Sequence, residues 1–80
     1  MKDSAIILFN KGKLTISSSQ LMSDWNLDLI NEKGEKVFSQ LLTNDVFYKV
    51  ALDLVPGKYK IKIKTPDNEI VKTIQSNKSN

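Results

Sequence analysis

Apolar and polar residues alternate with a period of two along most of this chain. Leu14 and Ile16 lie between polar neighbours, and Tyr59, Ile61 and Ile63 lie between lysines. Successive side chains of a strand point to opposite faces, so this spacing describes strands with one face on a core and the other in water. Apolar residues do not recur at the three- and four-residue spacing of a helix. The pattern predicts an all-β chain.

Seven segments have the strand pattern, and turn-forming residues separate them. The predicted strands span 5–9, 13–17, 25–30, 36–40, 46–54, 57–64 and 69–74. The polar run 17–20 is expected to end the second strand, and the long fifth strand is expected to bend. Seven short strands at intervals of about ten residues are typical of an antiparallel immunoglobulin-like β-sandwich. We expect one domain over 1–80, with a core over about 5–75 and a frayed polar tail over 76–80.

The period of two also predicts which side chains form the core. The predicted core residues are Trp25, Leu27, Leu29, Leu52, Leu54, Ile61 and Ile63. Tyr59 is expected to pack its ring inward and to bond its hydroxyl to nearby backbone, as in the tyrosine corner of immunoglobulin-like sandwiches. Gly34 can supply a positive φ in a hairpin turn, and Pro56-Gly57 forms a second turn. Gly34, Pro56, Gly57 and Tyr59 are therefore the fold-defining residues.

The composition argues against catalysis. The chain has no Cys and no His, and all 12 basic residues are Lys. The residue types that most often bind metals, attack substrates or shuttle protons are thus missing. The best acidic cluster is Asp67-Asn68-Glu69, which follows Pro66 and is more typical of a turn than of a metal site. We expect no enzymatic activity, no catalytic residue, no metal and no cofactor.

Positive charge is concentrated in the second half of the chain. Residues 1–48 carry five Lys and six acidic residues, whereas residues 49–80 carry seven Lys and three acidic residues. Lys58, Lys60, Lys62 and Lys64 share one strand face, which could bind a polyanion if Lys49 and Lys72 added to it. No aromatic residues lie between these lysines to stack bases, so no nucleic-acid partner is expected. A solvated face and edge protection are the favoured interpretations.

Three segments resemble the C-terminal sorting domain of type IX secretion cargo from Bacteroidetes. They are the strand 13–16, the hairpin 27–37 and the segment 52–61 that contains Pro-Gly-Lys-Tyr, and Lys72 matches a late lysine in the terminal strand. The likeness covers residues 12–75. It implies an immunoglobulin-like sandwich at the end of a larger exported protein. It also implies that outer-membrane secretion machinery reads the domain as a signal.

Two other functions remain open. Small secreted sandwich proteins of Bacteroides share the Gly hairpin and the Pro-Gly-X-Tyr strand, which favours a stand-alone binding or adhesion protein. An accessory carbohydrate-binding domain is the third interpretation. In each case we expect a protein partner or cell-surface component, a monomer, and a secreted or cell-surface location reached through the periplasm, with any signal peptide outside this chain. No run reaches the roughly 20 apolar residues of a membrane helix. The candidate recognition residues are Lys58, Lys60, Lys62, Lys64 and Lys72.

Overall fold

The described part of the chain is built from strands. The computed structural model describes residues 5–77, and it contains seven β-strands over that range. They are β1 (Ile6–Asn10), β2 (Lys13–Met22), β3 (Trp25–Ile30), β4 (Lys36–Leu42), β5 (Asp45–Ala51), β6 (Gly57–Lys64) and β7 (Glu69–Ser76). The all-β prediction and the number of strands are confirmed.

The strands form two antiparallel sheets. Sheet A has the order β1-β2-β5, and sheet B has the order β4-β3-β6-β7. The chain passes between the sheets after β2, after β4 and after β5. Both predicted hairpins, β3–β4 and β6–β7, lie in sheet B. The outer strands are β1 and β5 in sheet A and β4 and β7 in sheet B.

The inner faces of the two sheets bury the apolar half of each alternating segment. Trp25, Leu27 and Leu29 of β3 are buried as predicted, and so are Ile61 and Ile63 of β6. The remaining buried hydrophobic side chains are Ile7, Leu14, Ile16, Met22, Leu42, Tyr59 and Ile74. Burial of such side chains is the main favourable term in folding, so these residues set the pairing register of both sheets.

The prediction that Leu52 and Leu54 belong to the buried core was only partly correct. Both side chains are half-buried and pack against the core from outside the strands, because β5 ends at Ala51 rather than at residue 54. The Leu52 N–H donates to the Gly12 carbonyl oxygen at 2.7 Å. This bond extends the register of β2 with β5, in which Lys13 is opposite Ala51, by one residue beyond the strand end. The following residues then cross to sheet B.

Three predicted strand ends were two or more residues too early, and one of them is that of β4, which ends at Leu42 rather than at residue 40. β2 does not stop at Ser17 but continues to Met22, with a register shift in its pairing to β5 between these residues. Such an irregularity lets a polar run stay in the strand while the fully buried Met22 still reaches the core. β7 continues to Ser76, which pairs with Gly57 and is buried, so the expectation of fraying was wrong for residue 76. Residues 78–80 of that tail lie outside the described residues.

Local hydrogen bonds explain the two hairpin turns of sheet B. In the β3–β4 turn, the Asn31 side-chain oxygen accepts from the N–H groups of Lys33 and Glu35, both at 2.9 Å. Gly34 has a φ of +84°, as its predicted turn role requires. In the β6–β7 turn, the Thr65 hydroxyl oxygen accepts from the Asn68 N–H at 2.9 Å. Side chains that bond the backbone in this way favour turns over continued strands.

The tyrosine corner is present as predicted. Tyr59 is buried, and its hydroxyl donates to the Val55 carbonyl oxygen at 2.7 Å. This bond ties the connection between β5 and β6 to the first residues of β6. The exposed Pro56 lies in the connection, outside the strand ladder.

Replacing Tyr59 with phenylalanine is expected to lower the free energy of unfolding by about 1 kcal/mol, because the ring stays but the hydrogen bond is lost. Urea unfolding followed by the fluorescence of the buried Trp25 measures the change. Tyr48→Phe is the matched control, since the Tyr48 hydroxyl has no hydrogen bond to the described residues, and it should change stability by less than about 0.5 kcal/mol. Equal losses in the two variants would contradict a structural role for the Tyr59 hydroxyl.

Candidate functional site

The four lysines of β6 form a column on the outer face of sheet B. Lys58, Lys60, Lys62 and Lys64 alternate with Tyr59, Ile61 and Ile63, whose side chains fill the core. β6 lies between β3 and β7, so the column runs along an interior strand of the sheet. The prediction of edge protection was therefore wrong for these lysines, because an interior strand has no free edge. We call these four residues the lysine column.

The two lysines that could have extended the column lie elsewhere. Lys49 pairs with Thr15 on the outer face of sheet A, which is the opposite side of the sandwich. Lys72 is opposite Ile61 in the β6–β7 ladder and therefore starts on the inner side of β7. Lys36 does lie on the same face as the column. It is opposite Ile30 in the β3–β4 ladder, and Ile30 is opposite Lys60 in the β3–β6 ladder. Sequence reasoning missed Lys36, because only strand pairing reveals that it shares a face with β6.

The positive charge of this face is poorly compensated. Within the range 5–77, no acidic oxygen lies within 4 Å of a lysine-column ammonium group. Asp28 is opposite Lys62, but its carboxylate lies 3.6 Å from the Lys36 ammonium and accepts from the Ser39 hydroxyl at 2.9 Å. Glu69 is opposite Lys64 at the other end of the column. Compensation is therefore weakest beside Lys60, whose cross-strand neighbours are Ile30 and Thr73.

Four segments meet at one end of the sandwich, which we call the loop end. They are the β1–β2 turn, the β3–β4 turn, the β5–β6 connection and the C-terminal end of β7. The Leu52 N–H bonds the carbonyl oxygen of Gly12, and the Ser76 hydroxyl donates to the Leu54 carbonyl oxygen at 3.4 Å. The Lys58 N–H donates to a Glu32 carboxylate oxygen at 3.1 Å. These contacts join the segments into one surface.

Glu32 lines two shallow grooves at the loop end. One groove, of about 270 Å³, lies on the lysine side and is lined by Ile30, Asn31, Glu32, Lys58, Lys60 and Thr73 among others. The second, of about 260 Å³, lies between the β3–β4 turn and the Val55–Lys58 segment. Sequence reasoning did not select Glu32, because a glutamate in a hairpin turn carries no signal of a contact made 26 residues away.

Lys72 has a structural contact that the sequence did not predict. Its ammonium group donates to the Ile7 carbonyl oxygen at 2.7 Å. The bond joins β7, an outer strand of sheet B, to β1, an outer strand of sheet A. The candidate recognition residues therefore fall into two groups, with the lysine column on the outer face and Lys72 across one side of the sandwich.

Within residues 5–77 no group of three or more acidic side chains is placed to hold a metal ion. At the Asp67-Asn68 turn, the backbone N–H groups of both residues donate to the Thr65 hydroxyl oxygen. Desolvation by burial raises the pKa of the Tyr48 hydroxyl above its ordinary value, so this group stays protonated at neutral pH.

Within residues 5–77, no helix is long and apolar enough to cross a membrane.

Comparison with known proteins supports the fold. No protein-family model matches this chain, and no curated protein sequence matches it. The chain is similar in structure to a DUF3244 family protein from Bacteroides vulgatus that has an immunoglobulin-like β-sandwich fold. The TM-score is 0.83 at 13% identity, and the match covers 91% of this chain and 83% of that chain. This likeness confirms the immunoglobulin-like sandwich and the expected similarity to a Bacteroides sandwich protein, while the resemblance to sorting domains stays a prediction.

Proposed function

We propose that this chain is a non-catalytic recognition module of an exported protein, of the type IX sorting kind, and that its partner in the cell envelope binds the loop end. The absence of Cys and His from the sequence supports a role without chemistry. A small sandwich can present turns and edges to a partner without a deep cleft. The proposed location is the cell surface, reached through the periplasm.

One observation carries this proposal. The hairpin 27–37 and the segment 52–61 are the two longest pieces that resemble sorting domains, and they meet at the loop end through the Glu32–Lys58 contact. Within the second piece, the Tyr59 hydroxyl donates to the Val55 carbonyl oxygen and so fixes the connection to the start of β6. Residues far apart in the sequence thus form one preorganised surface, which lowers the entropy lost when a partner binds.

The proposal is tested by fusing the full chain to the C-terminus of a reporter that has its own signal peptide. In a host with type IX secretion, the reporter is expected on the cell surface, where external protease or antibody reaches it. A reporter that stays in the periplasm with the folded chain attached contradicts the sorting function.

A pair of glutamate variants locates the recognised surface. Glu32→Ala removes the carboxylate at the loop end and is expected to lower the surface fraction of the reporter. Glu69→Ala removes an exposed carboxylate at the start of β7, away from the loop end, and should leave export unchanged. Both variants should keep the native fluorescence of Trp25. Equal export by the two variants would place recognition outside the loop end.

A further inference from the structure

We propose that the outer face of sheet B binds a linear acidic polysaccharide, with the lysine column as the contact for its carboxylate or sulfate groups. This site is separate from the proposed sorting function, since it uses the face of the sheet and needs no secretion machinery. Its ligand class is set by the spacing of charge, by the shape of the face and by the polar groups beside Lys58 and Lys60.

The column matches an extended polymer in length and shape. Alternate residues of a strand are about 6.7 Å apart, so the four ammonium groups span about 20 Å along β6. β6 is held on both sides by β3 and β7, which keeps the row straight and fixed to a rigid sheet. A regular row of cations on an open face suits a chain with repeated anionic groups, whereas a single small anion would touch only one or two of them.

Unpaired charge makes the column available to a ligand. As described above, no acidic oxygen lies within 4 Å of these ammonium groups in the range 5–77. A bound polyanion therefore does not have to displace an existing ion pair. Binding also releases counterions from the polymer, which makes the affinity strongly dependent on salt.

The groove at the Lys58 end favours a sugar over a purely anionic polymer. The Thr73 hydroxyl has no hydrogen bond to the described residues, and one Glu32 carboxylate oxygen accepts only the Lys58 N–H. Glu32 would repel any anionic group placed directly beside it, but its carboxylate is a good acceptor for the neutral hydroxyl groups of a sugar. The groove thus combines two lysines that can bind an acidic group of the polymer with two oxygen-bearing side chains, Glu32 and Thr73, that can accept hydrogen bonds from sugar hydroxyl groups.

The same face does not suit nucleic acid. Single-stranded nucleic acid binds where aromatic rings stack with the bases beside a basic groove. Trp25 and Tyr59 are buried in the core, and Phe47 is on the outer face of sheet A. The outer face of sheet B has no aromatic side chain within the described strands, so the basic groups act there without stacking.

Binding to polygalacturonate, a linear polymer of an acidic sugar, tests the inference. Titration calorimetry on the full chain should detect polygalacturonate at low salt and no binding to neutral dextran. The affinity should fall at least about tenfold between 50 and 200 mM salt, since several ion contacts form together. Absence of binding to polygalacturonate at low salt would overturn the inference.

Two triple variants with equal charge loss show whether the column is the site. K58Q/K60Q/K64Q is expected to weaken polygalacturonate binding about tenfold or more at low salt, whereas K11Q/K13Q/K49Q, which changes lysines away from this face, should bind nearly as the parent chain does. Equal losses in the two variants would show attraction by net charge alone and overturn the site. Tighter binding of an oligothymidylate than of polygalacturonate would assign the face to nucleic acid and also overturn it.

Discussion

Replacing Leu27 with alanine is expected to lower the free energy of unfolding by about 2–5 kcal/mol. Leu27 has no exposed surface, and it lies between Gln40 of β4 and Ile63 of β6 in the ladders of sheet B. The loss has two parts, the transfer energy of the removed methyl groups and the cavity that the surrounding side chains fill only partly. A domain of this length has a total stability of about 4–12 kcal/mol, so the variant loses a large share of it.

Leu41→Ala is the control for this substitution. Leu41 lies on the neighbouring strand, opposite Asn26, and half of its surface is exposed on the outer face. Its replacement should change the stability by less than about 0.5 kcal/mol. Urea unfolding of both variants, followed by Trp25 fluorescence, gives the two free energies of unfolding. The m-value, which is the slope of this free energy against urea concentration, should stay unchanged. Similar losses at positions 27 and 41 would mean that the inner and outer faces of sheet B are assigned incorrectly.

Which face of each strand is buried could be predicted from the sequence, because one rule governs the whole strand. A shift of one residue moves every side chain to the other face, so Leu27, Ile61 and Ile63 could point only one way. The tyrosine corner was predictable for a related reason. A buried hydroxyl needs an acceptor, and the backbone just before a strand supplies one.

Strand order in a sheet could not be predicted in this way. Alternation is the same for an interior strand and an edge strand, so the sequence did not show that β6 lies between β3 and β7. The interpretation of the lysine column as edge protection failed for this reason. Pairing order depends on contacts between residues far apart in the chain, such as Leu29 with Ile61, and these contacts have no local pattern.

In the candidate site, too, the sequence identified the residues that are close together in the chain and missed those that the fold brings in from elsewhere. The sequence identified Lys58 and Lys60 because their spacing is local. It did not identify Glu32, Lys36 or Thr73, which reach the same groove and face from three other parts of the chain. The strand ends were misplaced where pairing with a distant strand decides them, as the pairing of Ser76 with Gly57 does at the end of β7.

Replacing Lys72 with methionine is expected to cause self-association. β1 and β7 are outer strands on the same side of the sandwich, and unpaired outer strands can pair with another chain. Lys72 starts on the inner side of β7 and places its charge at this side by donating to the Ile7 carbonyl oxygen. A charged residue that points inward at a sheet edge is a known protection against such pairing. Without the ammonium group, the exposed side chains of Ile6, Leu8 and Val71 are left at an edge where Glu69 is the one charged residue of β1 and β7.

Analytical ultracentrifugation tests this prediction. The parent chain should sediment as a monomer, whereas Lys72→Met should form dimers or larger species whose fraction rises with protein concentration. Unfolding of the variant should also require about 1 kcal/mol less, since a partly solvated charged hydrogen bond is lost. Lys60→Met removes the same charge from an interior strand and should remain monomeric. If Lys72→Met also remains monomeric, Lys72 does not protect this edge, and its charge is left with the recognition role that the sorting resemblance implies.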